Sequence, residues 1–401
     1  MTRAARPLLW PLVPVYRSGL ALREFELRSG LKRVRGLTWP VVSIGNLSTG
    51  GAGKTPLVIA LARALAARGV YVDVLSRGYG RRSSALPLLV DPGGTAGEFG
   101  DEPLVIAREA GVPVFVAAER YEAGVMAERQ GTREEGNKGT SEQGSGGPTE
   151  QRSEGASRPS GHKSHASEPP ALKGSNFSHA PGGLAALKGH DFSRAVISKE
   201  SSGPSGPEGC FCVHLLDDGF QHRQLHRDVD ILLLSRADLG DHLLPAGNLR
   251  EVLHAAKRAD VIAIPADDAD VEAEIRSRGW RAEVWRVRRR MEIPPLEGPV
   301  AAFCGIARPG QFFAGLEAGG VKIASQVAFP DHHNYSARDL ERVASQARAA
   351  GATALLTTEK DCVRLGAMAV SLPIQTVQLR TEIEDEVGAI DWLVGRIGGK
   401  A

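Results

Sequence analysis

The segment NLSTGGAGKTP, residues 46–56, constrains the fold of this chain more than any other. An apolar run from Trp39 to Ile44 precedes it and reads as a buried strand. Leu57 to Arg68 follows with the Leu, Val, Ile and Ala spacing of a helix. Strand, glycine loop, Gly-Lys-Thr and helix, in that order, make a phosphate-binding loop. Backbone N–H groups of Gly50, Gly51, Ala52 and Gly53 would turn inward toward phosphate oxygens. Lys54 would reach the β- and γ-phosphates of a nucleotide, and the Thr55 hydroxyl a Mg²⁺ ion. Pro56 suits the first helical turn, where a missing N–H is no loss, and the helix N-terminus adds its dipole to anion binding. Ser48 stands where the usual pattern has its first glycine.

Strand and helix signals alternate around this unit. Val70–Leu75 and Val112–Val116 read as strands, and helices follow the loop and begin near Tyr121. Such alternation predicts βαβ units and a parallel sheet flanked by helices, the P-loop type of α/β fold. Residues 131–209 break the pattern. They are rich in Gly, Ser, Pro, Glu and Lys, poor in large apolar residues, and too polar to offset their own ordering entropy. The reading is a disordered low-complexity insertion, although it carries a short repeat, ALKGSNFSHA against ALKGHDFSRA. Strand signals resume at Val213–Leu216, Val229–Leu234 and Val261–Ile264. A second, smaller α/β unit follows, with strands at Val300–Phe303, Ile323–Phe329 and Ala354–Thr357, a Ser336-capped helix to Ala350 and a last helix over Ile383–Ile397. The expected layout is a segment 1–36, a phosphate-loop domain in two parts, 37–130 and 210–290, the insertion 131–209, and a C-terminal α/β domain 291–401.

Composition narrows the function classes. A formal net charge of +2 offers no global field for nucleic acid. Cys210, Cys212, Cys304 and Cys362 have neither zinc spacing nor the pattern of a disulfide framework, so a reducing compartment is expected. No run of eighteen apolar residues exists, and no signal-peptide pattern opens the chain. The stretch Pro7 to Tyr16 is nevertheless apolar and aromatic, with Arg3, Arg6, Arg17, Arg23 and Arg28 around it. That combination suits either an anionic membrane interface or a helix packed on the core.

Several motifs carry candidate chemistry. Leu215-Leu216-Asp217-Asp218 is an apolar strand delivering carboxylates to the sheet edge where Mg²⁺ would sit. Gly100-Asp101-Glu102-Pro103 precedes a helix and reads equally as a helix start. Asp331-His332-His333-Asn334-Tyr335 supplies a base, metal ligands or a polar helix-capping turn. Arg77-Gly78-Tyr79-Gly80-Arg81-Arg82 is an anion-binding loop or a solvated basic turn.

The joint set SIGNLSTGGAGKTP, SRGYGRR, GDEP, DDGFQH, LLPAGNLRE, FPDHHNYS and TTEKD closely resembles the tetraacyldisaccharide 4'-kinase family of lipid A biosynthesis. The motifs run in the family's order and span nearly the whole chain outside 131–209. The resemblance implies a two-domain P-loop fold with its active site between the domains. It implies ATP- and Mg²⁺-dependent phosphorylation of the 4'-hydroxyl of a tetraacyldisaccharide 1-phosphate. It implies peripheral attachment to the cytoplasmic face of the bacterial inner membrane; a monomer that does not bind nucleic acid is expected. Lys54 and Thr55 match the phosphate and Mg²⁺ residues, Asp217 and Asp218 the acidic strand-end pair, Asp101 the catalytic base and His332 its partner. Arg77, Glu102 and Gln221 are the candidate substrate contacts. Partitioning ATPases share a GGxGKT loop but place a lysine before the two glycines, where this chain has Thr49.

Overall fold

The computed structural model describes residues 6–51, 53–82, 86–138 and 211–398. Ala52 and residues 139–210 lie outside the described residues, and with them nearly all of the predicted insertion. Its expected start moves, because the helix Arg120–Lys138 runs past residue 131.

Among the described residues twelve strands form one sheet: β1 (Val41–Asn46), β2 (Tyr71–Ser76), β3 (Leu88–Leu89), β4 (Val114–Val116), β5 (Cys212–Asp217), β6 (Val229–Leu233), β7 (Val261–Pro265), β8 (Glu283–Glu292), β9 (Val300–Cys304), β10 (Ile323–Ala328), β11 (Ala354–Thr358) and β12 (Ile374–Ile383). Their order is β10-β9-β11-β12-β8-β7-β6-β1-β5-β2-β4-β3. Pairing is parallel except for β12 with β8 and β3 with β4. β1, β5, β6 and β9 are buried along their whole length, which explains why they read as continuous apolar runs. Strands β8 and β12 escaped the sequence reading. Arginines and glutamates interrupt β8, and residues Glu292 to Val287 pair with Gln378 to Ile383 as an antiparallel ribbon.

β1 sits between β5 and β6, with Ile44 opposite Asp217 and Asn46 opposite Leu233. The carboxyl ends of three adjacent parallel strands therefore open at one place, the usual ligand edge of an open α/β sheet. The helix Lys54–Ala67 leaves this edge and buries Leu57, Leu61 and Leu65 completely against one face. Each fully buried leucine contributes about 1.5–3 kcal/mol, and Leu61→Ala would cost about 2–5 kcal/mol. The helix Asp101–Ala110 and the final helix, Glu386–Gly398, complete the same core through Leu104, Ile106, Ile390 and Leu393. The chain thus returns to the phosphate-loop half after passing through β9–β12. Leu47, Phe220, Leu232, Ile262 and Trp280 fill the opposite face.

The N-terminal helix Val13–Arg28 buries none of its residues. A 3-10 turn, Pro7–Leu12, leads into it and absorbs Pro7 and Pro11. Leu8, Val15, Leu22 and Phe25 are exposed, while Tyr16 donates to the Arg250 carbonyl at 2.8 Å and Arg6 to Asn248 at 2.6 Å. Arg23 donates to the Gln221 carbonyl, and Arg223 pairs with Glu24. Among the described residues no helix is long and apolar enough to cross a membrane.

Candidate active site

The loop after β1 ends at Gly53, whose φ of 82° is left-handed and starts the helix without any side-chain cap. Its neighbours Gly50 and Gly51 also have positive φ. The first N–H groups of the helix are thereby left to an anion. Lys54, in the first turn, donates to Asn46 Oδ1 at 2.9 Å and pairs with Asp218 Oδ1 at 3.3 Å. Thr55 is buried at 6 % exposure beside it, and Pro56 occupies the third helical position.

The two aspartates at the end of β5 differ. Asp218 has a φ of 50° and accepts from the two terminal nitrogens of Arg250, at 3.0 and 2.9 Å. Burial would raise its pKa, but Lys54 and Arg250 hold it well below the usual carboxylate range. Asp217 points inward. Ser76 donates to its Oδ2 at 3.2 Å, and its Oδ1 is buried without a partner among the described residues. Burial first, then Glu102 and Asp218, push the Asp217 carboxyl up to about 7.

Asp101 begins the helix Asp101–Ala110 rather than capping it; the cap is Gly100, with φ 91°. A Cβ on Gly100 would lie 2.9 Å from the Tyr79 carbonyl and 3.0 Å from Gly78, so glycine here lets the GDEP and RGYG turns touch. Asp101 Oδ2 faces His332 Nδ1 at 3.1 Å and accepts from Arg364 Nε at 2.9 Å; its Oδ1 accepts from the Glu102 N–H at 3.0 Å. Burial opposes ionisation, yet His332, Arg364 and Lys360 together keep the Asp101 pKa far below its ordinary value. The same hydrogen bond raises the pKa of His332, against burial and the charge of Arg364. His332 itself has a φ of 57°, and its N–H donates to the Gly305 carbonyl at 3.2 Å. His333 turns away, 3.3 Å from Asp339 and stacked on Phe329.

Glu102 pairs with Lys360 of the TTEKD segment. Gln221 donates to the Asn46 carbonyl at 2.9 Å, beneath the loop. Arg77 is exposed, and its charge acts on Arg120. The three-arginine reading of the RGYGRR turn needs correction. Arg81 is buried and donates to the carbonyls of Leu86 and Val116, where it ties the turn down rather than facing an anion. His222 lies nearby, and burial followed by Arg120, Arg227, Arg23 and Arg77 lowers its pKa to about 4.

Arg250, Lys360 and Arg364 were not assigned roles from the sequence. The first two lie in motifs already singled out, LLPAGNLRE and TTEKD; Arg364 lies in the helix Glu359–Leu365 that the latter begins. Residues as far apart as Lys54, Asp101, Asp217 and His332 are gathered at one sheet edge.

A glycine loop closing a buried parallel strand, a lysine at the helix start and acidic residues on the adjacent strand define a P-loop phosphoryl-transfer protein. Residues 5–134 and 207–397 match the family described as tetraacyldisaccharide-1-P 4'-kinase, LpxK. The chain belongs to that family. A tetraacyldisaccharide 4'-kinase of Koribacter versatilis is 33 % identical over 395 residues, covering 96 % of this chain and 97 % of the relative. One from Rhodopseudomonas palustris is 35 % identical over 371 residues, covering 89 % and 85 %. The crystal structure of apo-form LpxK from Aquifex aeolicus in complex with ATP superimposes with a TM-score of 0.63 at 27 % identity, over 98 % of this chain and 99 % of that one.

Proposed function

We propose that this chain transfers the γ-phosphoryl group of ATP to the 4'-hydroxyl of a tetraacyldisaccharide 1-phosphate, a step of lipid A biosynthesis. The observation that carries the reading is the pairing of Asp101 with His332 beside a formed phosphate loop.

In this reading the loop N–H groups and Lys54 hold the phosphates. Thr55 and Asp217 fit a Mg²⁺ ion, since Asp217 Oδ1 is a buried acceptor with no protein partner among the described residues. Mg²⁺ is usually held by one or two carboxylates, with waters and substrate phosphates supplying the other ligands. When bound, it would neutralise charge on the β- and γ-phosphates. Asp218 keeps Lys54 and Arg250 in place. The Asp101–His332 pair takes the proton of the attacking hydroxyl. The imidazole is the better acceptor of the two, because Arg364 and His332 make the carboxylate a weak base. Asp101 then orients the ring and stabilises its charge, as in triads that join carboxylate to imidazole. Arg77, whose charge acts on Arg120, supports an anionic substrate group such as the 1-phosphate, and Glu102 and Gln221 are the other substrate contacts of this reading.

The exposed apolar residues of the N-terminal helix, flanked by arginines, support binding to the anionic cytoplasmic face of the inner membrane. Lys54, Asp101, Asp217 and His332 all come from one chain, so a monomer suffices.

The test is transfer of labelled γ-phosphate to purified tetraacyldisaccharide 1-phosphate. Asp101→Asn and His332→Ala should each lower kcat by roughly 10²-fold or more while ATP binding persists. The double variant should be little worse than the poorer single one. No labelled lipid from the unaltered chain, or fully additive losses, would overturn the reading.

A further inference from the structure

Three parallel neighbours in the C-terminal half, β10, β9 and β11, open at their carboxyl ends side by side. The turn after β10 carries His332 and Tyr335. The residue after β9 is Gly305, and the helix after β11 carries Asp361 and Arg364. Of these, His332 and Arg364 reach Asp101. Tyr335 and Asp361 take no part in the proposed proton transfer, although each lies in a motif that the sequence singled out, FPDHHNYS and TTEKD.

Asp361 is fully buried and collects donors from every side. The Gly305 N–H, the Tyr335 hydroxyl and Arg364 Nη1 converge on its Oδ1 at 3.0, 2.9 and 3.0 Å. The Thr358 hydroxyl donates to its Oδ2 at 2.6 Å. A Cβ on Gly305 would lie 3.1 Å from the Tyr335 hydroxyl and 3.2 Å from Asp361 Oδ1, so glycine lets this peptide come so close.

The other end of the same peptide faces the base. The Gly305 carbonyl accepts from the His332 N–H at 3.2 Å and from Arg364 Nη1 at 2.7 Å. His332 has a φ of 57°, and a left-handed backbone at a residue with a side chain persists only where its surroundings hold it. Here the hold is double. The Gly305 carbonyl fixes the start of the turn, and Tyr335, three residues on, pins its end to Asp361.

We infer that Asp361 and Tyr335 are positioning residues for the general base: together they set where the His332 imidazole stands against Asp101, and Asp361 sets how strongly the Arg364 charge acts on that pair. The inference rests on the reading of Asp101 and His332 as the proton acceptor. The two residues work by different routes. Tyr335 acts through geometry, by a hydrogen bond that anchors the turn. Asp361 acts through charge as well, because it shares the Arg364 guanidinium with Asp101. The groups that face the imidazole are Asp101 and Arg364 from two helices, Asp331 of its own turn at 4.0 Å and the Tyr79 ring at 5.4 Å. Arg364 favours the neutral ring and the two aspartates the charged one.

The test uses the full chain with isotope-labelled histidine. Nuclear magnetic resonance follows the His332 titration, its signal identified by its loss in His332→Ala. Kinetic constants for ATP and the lipid acceptor are measured alongside, between about pH 6 and pH 9. Asp361→Asn keeps Oδ1 for its three donors and turns an amide N–H toward the Thr358 hydroxyl, which can accept. It removes the charge that offsets Arg364. The His332 titration and the acid limb of kcat should therefore move to lower pH, opposite in sign to Arg364→Leu. Tyr335→Phe keeps the ring that packs on Phe303 and Phe329 and removes the anchor. Its kcat should fall roughly 10-fold, with KM for ATP unchanged and the His332 titration little moved. An unmoved His332 titration in Asp361→Asn would overturn the charge route, and a normal kcat in Tyr335→Phe the geometric one. If Asp361→Asn fails to fold, Tyr335→Phe decides alone. A chain that phosphorylates no lipid would remove the lipid-kinase reading, while the His332 titrations in Asp361→Asn and Arg364→Leu would still decide whether Asp361 governs the pair.

Discussion

Replacing Arg364 by leucine tests whether charge holds the Asp101–His332 pair in register. Arg364 donates to Asp101 Oδ2 at 2.9 Å, to Asp361 Oδ1 at 3.0 Å and to the Gly305 carbonyl at 2.7 Å. The side chains of Arg364 and Asp101 are each 6 % exposed and that of Asp361 is 0 %, so solvent screens little of this network. Removing the guanidinium leaves two buried carboxylates without their shared cation. Breaking a buried pair from one side costs about 3–5 kcal/mol. At the low end of the usual conversion for large domains, that is a fall in Tm of roughly 6–10 °C. The pH dependence should move as well. Asp101 titrates below its ordinary value of 3.8 when folded, so its pairing stabilises the protein above that value and is lost as pH falls through the lower folded one. Arg364 also opposes protonation of His332, so its loss raises the His332 pKa further. If His332 must be neutral to accept the hydroxyl proton, the acid limb of kcat moves to higher pH in the variant. The apparent values belong to the coupled pair rather than to either residue. Thermal unfolding and a pH–kcat series between about pH 6 and pH 9 read both effects. A Tm within about 1 °C of the unaltered protein, with the acid limb unmoved, would refute the reasoning.

Three further outcomes are expected. Lys54→Ala should lower kcat by roughly 10²-fold or more, because charge on the transferring phosphoryl group loses its main cation; near-normal turnover at saturating ATP would remove the phosphate-loop assignment. Exchanging residues 140–206 for a short Gly/Ser bridge should leave kcat and Tm nearly unchanged, since the segment is too polar to contribute a core and loop length changes closure entropy only slowly; an inactive variant would show that the segment has a role. Removing residues 1–17 should weaken binding to anionic vesicles more than binding of ATP, as measured by co-sedimentation and titration; equal vesicle binding would place the apolar surface elsewhere.

The phosphate-loop half was legible because its strands are buried on both faces and its loop has a fixed spacing. Val41–Asn46, Tyr71–Ser76, Cys212–Asp217 and Val229–Leu233 each lie within a residue or two of the run read as a strand. The ribbon was not legible. β8 reads Glu-Val-Trp-Arg-Val-Arg-Arg-Arg-Met-Glu, in which only Trp285 and Val287 are buried. Its alternation is hidden because arginines stand on both faces, Arg286, Arg288 and Arg290 on one and Arg289 on the face of Trp285 and Val287. Candidate residues inside motifs could be named, but their partners could not. Nothing in the spacing says that Arg364 meets Asp101 or that Arg250 meets Asp218, since sequence separations of 263 and 32 residues are closed only by the sheet. The basic turn shows the opposite failure. Composition treats Arg77, Arg81 and Arg82 alike, whereas the fold turns Arg81 inward onto backbone carbonyls.

The pattern of pairing at the sheet edge explains how so many charges can share it. Asp218 is matched by Lys54 and Arg250, Asp101 by Arg364 and His332, and Glu102 by Lys360. Each of these carboxylates is thereby held in one orientation by hydrogen bonds as well as charge, and for Asp101, the buried one of the three, that is the condition under which burying an ion pair is tolerable. Asp217 is the exception. Its only side-chain partner among the described residues is the Ser76 hydroxyl, which leaves one oxygen unmatched in the interior. An unmatched buried carboxylate is costly. It persists here beside Glu102 and Asp218, whose charges make the cost larger. A divalent cation arriving with the nucleotide would remove that cost. The proposed Mg²⁺ site would account for Asp217, a carboxylate at the edge that makes no ion pair among the described residues.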